Sequence, residues 1–302
     1  VKYLIIWREG LFEAGERTMN DFNRDVDDRI INQICRLLNQ TLGFYYGTQK
    51  KYLICTRLNK RLNELNIDNY TDYLKILEKD SVELNRFYDL LTTNVTNFFR
   101  EADQFEILKQ KLLPELMERH LKERKISCWS AGCSSGEEAY TLAIVLSEAL
   151  HPGWEFRVLA SDISIQKLHE GMAGIYPLEK LQILQGNLIQ KYFQKIPGRS
   201  MELQVKPELR RRVVFRRINL NEEFHIPNHI KFDVIFCRNV FIYLSSDTRA
   251  RIIDGFYSCL TDGGYLFMGH SEAINTYADS RWESKKDCVY KKVERPKVKA
   301  EG

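Results

Sequence analysis

The sequence predicts two domains: an all-α N-terminal domain, then an α/β domain with a Rossmann-like, mainly parallel sheet that carries a small β-containing insertion. Three observations predict this. Before residue 92 the apolar residues recur at helical spacing and no segment reads as a strand. After Lys125 short apolar runs alternate with helix-length segments, the pattern of a parallel sheet covered on both faces. Between these textures, Ile126-Ser-Cys-Trp-Ser-Ala-Gly-Cys-Ser-Ser-Gly-Glu-Glu138 passes from an apolar strand through small residues directly into a helix-forming run. In such a turn backbone N–H groups and a helix N-terminus can close on a ligand with no Cβ in the way.

The elements follow in chain order. Val1-Lys-Tyr-Leu-Ile-Ile-Trp7 holds too short an apolar run for a secretory signal, and polar residues separate it from Met19. Residues 1–18 are therefore expected to be a leader or disordered, with the fold starting near Met19. In the helical domain, 19–91, Ile30, Ile31, Ile34, Leu37 and Leu38 mark one helix, and Leu53, Leu58, Leu62 and Leu65 a second. Asn69 and Ser81 are the expected N-caps of two more. Residues 92–100, rich in Thr and Asn, read as a linker into the second domain, 101–302. A helix is expected from about Ala102, kinked or split by Pro114. Strands are expected at 126–129, 156–160, 213–217, 232–237 and 265–268, and helices at 137–150, 165–171 and 247–260. Val289 and Tyr290 would close the sheet as an antiparallel edge. Between about 174 and 212, Gly186, Pro197, Gly198 and Pro207 interrupt the alternation, while Met201-Glu-Leu-Gln-Val205 has strand period; this is the expected inserted subdomain.

Composition narrows the function. The chain has 302 residues, 44% hydrophobic and 28% charged, which is ordinary for a globular protein. A net charge of +4 does not argue for nucleic acid. No run reaches the ~18 apolar residues of a membrane span, so no membrane insertion is expected. Seven cysteines without a C-x-x-C pair suit reduced thiols in a cytoplasmic protein better than a disulfide scaffold.

Two chemistries compete for the glycine turn. Gly132-Cys-Ser-Ser-Gly136 fits the nucleophile elbow G-x-S-x-G, and Ser134, Asp233 and His270 stand in hydrolase order. That fold needs several strands ahead of its elbow, whereas the residues here read as helix. The other template is a nucleotide-type cofactor on the first strand-to-helix turn, with an acid at the end of the second strand. Asp162, closing Val158-Leu-Ala-Ser-Asp162, meets it; the same residue could instead cap a helix beginning near Ser164. With only Gly132 and Gly136 the pattern G-x-G-x-x-G is not met, and the wider turn suits S-adenosylmethionine better than a pyrophosphate.

Five blocks then carry a resemblance. Thr92-Thr-Asn-Val-Thr-Asn-Phe-Phe-Arg-Glu101, Trp129-Ser-Ala-Gly-Cys-Ser-Ser-Gly-Glu-Glu138, Ala160-Ser-Asp-Ile163, Phe236-Cys-Arg-Asn-Val-Phe-Ile-Tyr243 and Gly269-His-Ser-Glu272 resemble, in order, the signature blocks of the chemotaxis receptor methyltransferases, the CheR family. They cover about residues 25–293. Cys133 and Ala139 depart from the family's commoner residues. The resemblance implies a class I methyltransferase fold and an S-adenosylmethionine-dependent protein-glutamate O-methyltransferase that leaves S-adenosylhomocysteine. It further implies methyl-accepting chemoreceptor cytoplasmic helices as partners, no metal, and a cytoplasmic monomer. A same-fold methyltransferase with another substrate, or a non-catalytic scaffold that binds the cofactor, are the alternatives.

The residues expected to act follow. A glutamate carboxylate, with a reference pKa of ~4.3, is already ionised at neutral pH and needs no general base, so positioning is the task. Arg100 could hold the incoming glutamate or the cofactor carboxylate in a bidentate fork. Tyr243, after the fourth strand candidate, could orient the glutamate or touch the methyl region. Arg238 joins these two in the catalytic set and, with Asn239, the cofactor pocket. By resemblance Asn94 and Thr96 contact the cofactor, as does Gly136 at the turn. Glu137 or Glu138 faces the methionyl ammonium, spacing leaving the choice open. Asp162 holds the ribose, and Asn219 and Leu220 flank adenine. His270 reads as structural. Arg57, Lys60 and Arg61 share one helix face and could steer acidic receptor helices. A second basic cluster, Arg210, Arg211, Arg212, Arg216 and Arg217, lacks interleaved aromatics and so does not point to nucleic acid.

Overall fold

A computed structural model describes residues 28–45, 51–92, 95–222, 226–227, 229–274 and 279–293. The expected leader, 1–18, and the start near Met19 lie outside the described residues.

Four helices come first: α1 (Asp28–Leu42), α2 (Lys51–Glu64), α3 (Tyr70–Lys79) and α4 (Ser81–Leu91). Their apolar stripes meet in one core around Ile34, Leu38, Leu58, Leu62, Tyr73 and Phe87. Asn69 caps α3 by accepting from the Asp72 N–H. The cap of α4 is Asp80, not Ser81. Asp80 is the single residue between the two helices, and its carboxylate accepts from both Val82 N and Glu83 N.

The next helix is interrupted before Pro114. α5 (Ala102–Ile107) runs through a π turn (Leu108–Leu112) into α6 (Leu113–Arg119). Pro114 has no N–H for the carbonyl four residues back, and the ladder widens over the preceding turn. Segment 92–100 is more than a tether. Phe98 is fully buried and packs edge-on against Tyr176, 4.9 Å away, and Phe193, 5.7 Å away.

The α/β domain then alternates as expected. β1 (Lys125–Ala131) leads to α7 (Glu137–Ala149), and β2 (Glu155–Asp162) to α8 (Ile165–Ala173). The insertion follows: β3 (Ile175–Pro177), α9 (Leu178–Leu181), α10 (Gly186–Tyr192), β4 (Phe193–Ile196), β5 (Arg199–Val205) and α11 (Pro207–Arg210). Its strands form a separate antiparallel sheet in the order β3-β5-β4. β6 (Val213–Arg217), β7 (Phe232–Cys237), α12 (Ser246–Cys259), β8 (Leu260–Met268), β9 (Trp282–Ser284) and β10 (Val289–Lys292) complete the chain.

The main sheet has seven strands in the order β6-β2-β1-β7-β8-β10-β9. β6, β2, β1, β7 and β8 are parallel, and β10 is antiparallel to both its neighbours. The tail strand therefore reverses as expected but is not the edge. β9 pairs outside it and brings the buried Trp282 against Tyr257. β7 is buried at every position because cores lie on both faces of the sheet. Among the described residues no helix is long and apolar enough to cross a membrane.

Two of the three residues expected at a receptor surface are engaged inside the helical domain. Arg57 donates to the carbonyls of Leu90 and Thr92, tying α2 to the end of α4. Arg61 forks onto Glu83, at 2.9 and 2.6 Å, and also reaches Glu64. Glu83 is buried and accepts from the Tyr73 hydroxyl as well. Sequence spacing could not show this, because Glu83 arrives from another helix. Lys60 alone of the three is exposed. Arg61→Ala should therefore lower stability by about 1–3 kcal/mol, by stranding a buried carboxylate, while Lys60→Ala stays within about 0.5 kcal/mol; urea unfolding of both variants measures the difference.

Candidate active site

The C-terminal ends of β1, β2 and β7, with the segment after β6, open on a cleft of about 1090 Å³ including its mouth. The cleft lies where the strand order reverses on either side of β1, the usual binding crevice of an open α/β sheet.

Its floor is the loop after β1. Gly132 has φ +81°, and a Cβ there would lie 2.5 Å from Val240 Cγ2, so only glycine lets the loop pack beneath Val240. Gly132 N and Cys133 N both donate to the Ser161 carbonyl, at 2.8 and 2.9 Å, which fastens the loop to the end of β2. Gly132 and Ser134 line the cleft. Gly136, the glycine expected at the cofactor, does not. It starts α7 with φ +92°, and a Cβ on it would press on Phe215, Tyr176 and Gly171. Its task is close packing of helix on sheet.

The paired glutamates separate, because adjacent helical residues point about 100° apart. Glu138 lines the cleft, accepting from Ser130 Oγ at 2.6 Å and from Arg238 Nε at 2.8 Å. Glu137 turns to the opposite side, fully buried, where it pairs with Lys180 of the insertion and accepts from Ser135 Oγ at 2.7 Å. Of the pair, Glu138 is the one that lines the cleft.

Asp162 lines the cleft at the end of β2. Its Oδ2 accepts from Ser134 N at 2.7 Å and its Oδ1 from Ser164 N at 2.9 Å. The N-cap of α8 is Ser164 itself, bonded to Lys167 N. Burial pushes the Asp162 carboxyl up, and the backbone N–H groups oppose that rise. A carboxylate offers about four acceptor sites, so these backbone bonds leave room for a further donor from a ligand.

Arg238 reaches the cleft wall, but its side chain is 2% exposed. It donates to Glu138, to the Arg100 carbonyl at 2.8 Å and to Gln104 Oε1 at 3.1 Å, with its guanidinium 5.0 Å from the Phe105 ring and 5.3 Å from that of Phe236. Arg238 is thus held to Glu138 and to the Arg100 backbone at the edge of the cleft. Asn239, with φ +60°, lines the cleft beside it.

Asn219 and Leu220 line the far end. The Asn219 amide also donates to the Thr41 carbonyl at 2.7 Å, so this end is fastened to the helical domain. Leu42, the last residue of α1, and Phe44 just past it form a wall that no motif announced. Their segment is pinned by Tyr45 N on the Tyr243 carbonyl, 2.7 Å, and by the Phe44–Leu244 bridge. Thr96, Arg100 and Tyr243 stand at the mouth between the exposed apolar side chains of Val95 and Ile242. Arg100 donates to the Val95 carbonyl at 2.8 Å. Asn94 lies outside the described residues.

The hydrolase triad is not assembled. Asp233 sits at the start of β7, bonded to His120 and to Ser127 N, both at 2.8 Å, at the opposite end of the sheet from Ser134. His270 pairs with Asp103 at 3.2 Å on the surface. All seven cysteines are free, and burial raises the thiols of Cys128, Cys133 and Cys237. Among the described residues no group of three or more potential metal ligands is found.

Because the Gly132 position admits no Cβ, Gly132→Ala should push Val240 or the loop into the cleft. Overpacking of that kind costs about 1–3 kcal/mol, so calorimetry should find S-adenosylhomocysteine bound roughly tenfold or more weakly.

Comparison with known proteins agrees with this geometry. Residues 94–289 match the family described as CheR methyltransferase, SAM binding domain, and residues 30–92 match CheR methyltransferase, all-alpha domain. A chemotaxis protein methyltransferase of Borreliella burgdorferi is 38% identical over 264 residues, covering 84% of this chain and 92% of that protein. The one from Salmonella typhimurium is 39% identical over 253 residues, covering 82% and 84%. The one from Escherichia coli is 35% identical over 271 residues, covering 88% and 91%. With both domains matched in order and the cleft built where the fold requires it, the chain belongs to the CheR methyltransferase family, whose S-adenosylmethionine-binding domain it carries.

Proposed function

We propose that this methyltransferase esterifies glutamate side chains on the cytoplasmic helices of chemoreceptors, using S-adenosylmethionine and releasing S-adenosylhomocysteine. The names of its relatives support the receptor part of this reading. The cleft supports the acceptor. Among the described residues no histidine, lysine or cysteine lines it, and Arg100 stands at its mouth. An amine acceptor, with a pKa of ~10.4, would need a partner to take its proton; a carboxylate, at ~4.3, arrives ionised and needs only to be placed.

The donor set fits the cofactor: two acids, an apolar wall and a glycine cradle that a Cβ would fill. Glu138 would face its ammonium, Asp162 its ribose hydroxyls, and Asn219 with Leu220 its adenine. When bound, the cofactor supplies a methyl group on a sulfonium, a good leaving group. The chain supplies position. Arg238 holds Glu138 in one rotamer through a charge-assisted bond, so the ammonium site is formed before the ligand arrives. Arg100 attracts and orients the glutamate carboxylate. A single half-exposed cation suits this task, because the carboxylate loses charge as it attacks and a tighter clamp would stabilise the ground state. Val95 and Ile242 provide apolar rims that shed water when a helix docks.

Methyl-labelled cofactor incubated with receptor cytoplasmic fragments tests the reading. Base-labile label on the receptor is expected; base-stable label, or none from protein that binds S-adenosylhomocysteine, would defeat it. Arg100→Ala should reduce labelling by roughly 10²-fold, as loss of a preorganised charge contact does, with S-adenosylhomocysteine still bound. Glu138→Gln should weaken that binding about tenfold by removing a charged partner. Glu137→Gln should instead lower the unfolding midpoint, since it leaves Lys180 unpaired, and alter affinity little.

A further inference from the structure

The block Gly269-His-Ser-Glu272 stands out in the sequence, yet His270 pairs with Asp103 on the surface and no member of the block lines the cleft. Glu272 is different from its neighbours. It is 4% exposed, and its carboxylate is aimed at backbone. Oε2 accepts from Asn239 N at 2.8 Å and from Gly269 N at 2.9 Å, while Oε1 accepts from Ile242 N at 3.1 Å. Burial raises this carboxyl, and backbone N–H groups are what hold the rise back.

Two of these donors belong to the loop leaving β7. That loop supplies Asn239, Val240, Ile242, Tyr243 and Leu244 to the cleft and ends in a 3-10 turn, Phe241–Tyr243. Asn239 holds φ +60°, uncommon for a residue with a Cβ, so something must maintain it. Gly269 shows what the arrangement demands. A Cβ there would lie 2.8 Å from Glu272 Oε2 and 2.9 Å from Asn239 Nδ2, and the Gly269 carbonyl accepts Glu272 N at 2.8 Å to close the turn. Glycine at 269 lets the acid reach the loop.

The geometry points to Glu272 as the positioning residue of the active-site loop: its carboxylate gathers backbone N–H groups and so fixes Asn239 on the cofactor side and Ile242 and Tyr243 on the substrate side. This rests on the methyltransferase reading for the roles of those three residues. It does not rest on it for the ordering of the loop.

Glu272→Gln tests the assignment, since it keeps the shape but turns one oxygen into a donor facing backbone donors. Glu272→Asp keeps the charge on a shorter arm. Hydrogen exchange of amides 239–243 is read beside kcat for receptor fragments, S-adenosylhomocysteine affinity and the unfolding midpoint. In Glu272→Gln the loop amides should exchange about tenfold faster or more and kcat should fall by a similar factor, consistent with a stranded buried donor. Protection in α7 and α12 should hold, S-adenosylhomocysteine should bind more weakly as Asn239 loses its anchor, and Glu272→Asp should recover part of these losses. Loop exchange at the wild-type rate overturns the proposal. So does faster exchange across the whole α/β domain in both variants, with kcat falling only as the folded fraction falls. If the wild-type protein methylates no receptor fragment, the reaction assigned above fails while the exchange measurement still decides the role of Glu272.

Discussion

The site depends on how one buried cation is satisfied. Arg238 leaves the end of β7 inside the protein, where an unpaired guanidinium would be very costly. Its partners come from three other places: Glu138 on α7, the Arg100 carbonyl in the segment before α5, and Gln104 on α5 itself. Gln104 extends the chain of contacts through the carbonyls of Met268 and Asp287, at 2.8 and 2.7 Å. One charge thereby sets Glu138 at the cleft, the backbone that carries Arg100, and the register of the helix entering the domain. Phe105 and Phe236 contribute their ring faces to the guanidinium, which keeps water from competing for it.

The helical domain is part of the same construction. Leu42 and Phe44 wall the cleft, Asn219 bonds to the end of α1, and Gly43 fits only because it has no Cβ, which would meet Thr248 Cγ2 at 2.5 Å and Asn221 Oδ1 at 2.7 Å. Phe98 does the same from the other direction, locking the segment after α4 onto the insertion. A cofactor bound in this cleft would touch residues from both matched regions of the chain. Binding should therefore stabilise the two together, since a ligand adds its free energy to every element it requires in place.

What the sequence revealed and what it hid divide along physical lines. The parallel strands were legible because each is built on an apolar run, β7 being buried at all positions, and Asp162 was singled out because the template of a nucleotide-type cofactor has an acid at the end of the second strand, where this one lines the cleft. β9 was missed: three residues with two of them exposed carry no periodicity. Which of Glu137 and Glu138 lines the cleft depends on the helix phase relative to the sheet, which spacing alone does not define. Arg57 and Arg61 shared a face with Lys60, as expected, yet their partners come from the end of α4 and from Glu83 on the same helix. A surface pattern says which residues are neighbours along a helix and nothing about what packs across it. The wall made by Leu42 and Phe44 was invisible for the same reason, being a product of domain docking and not of any local motif.

Asp162 and Glu272 share a logic that the blocks in the sequence conceal. Both are nearly buried acids at the mouths of parallel strands, and both accept backbone N–H groups of a loop that lines the cleft. Loops that must bend sharply around a ligand cannot satisfy their N–H groups through a ladder, and a buried donor left alone costs about 1–3 kcal/mol. A carboxylate can take several such donors from one point, fixing a loop without a regular element. The acids thus shape the site by holding backbone, and the chemistry that needs placement more than proton transfer inherits a cleft whose loops are already set.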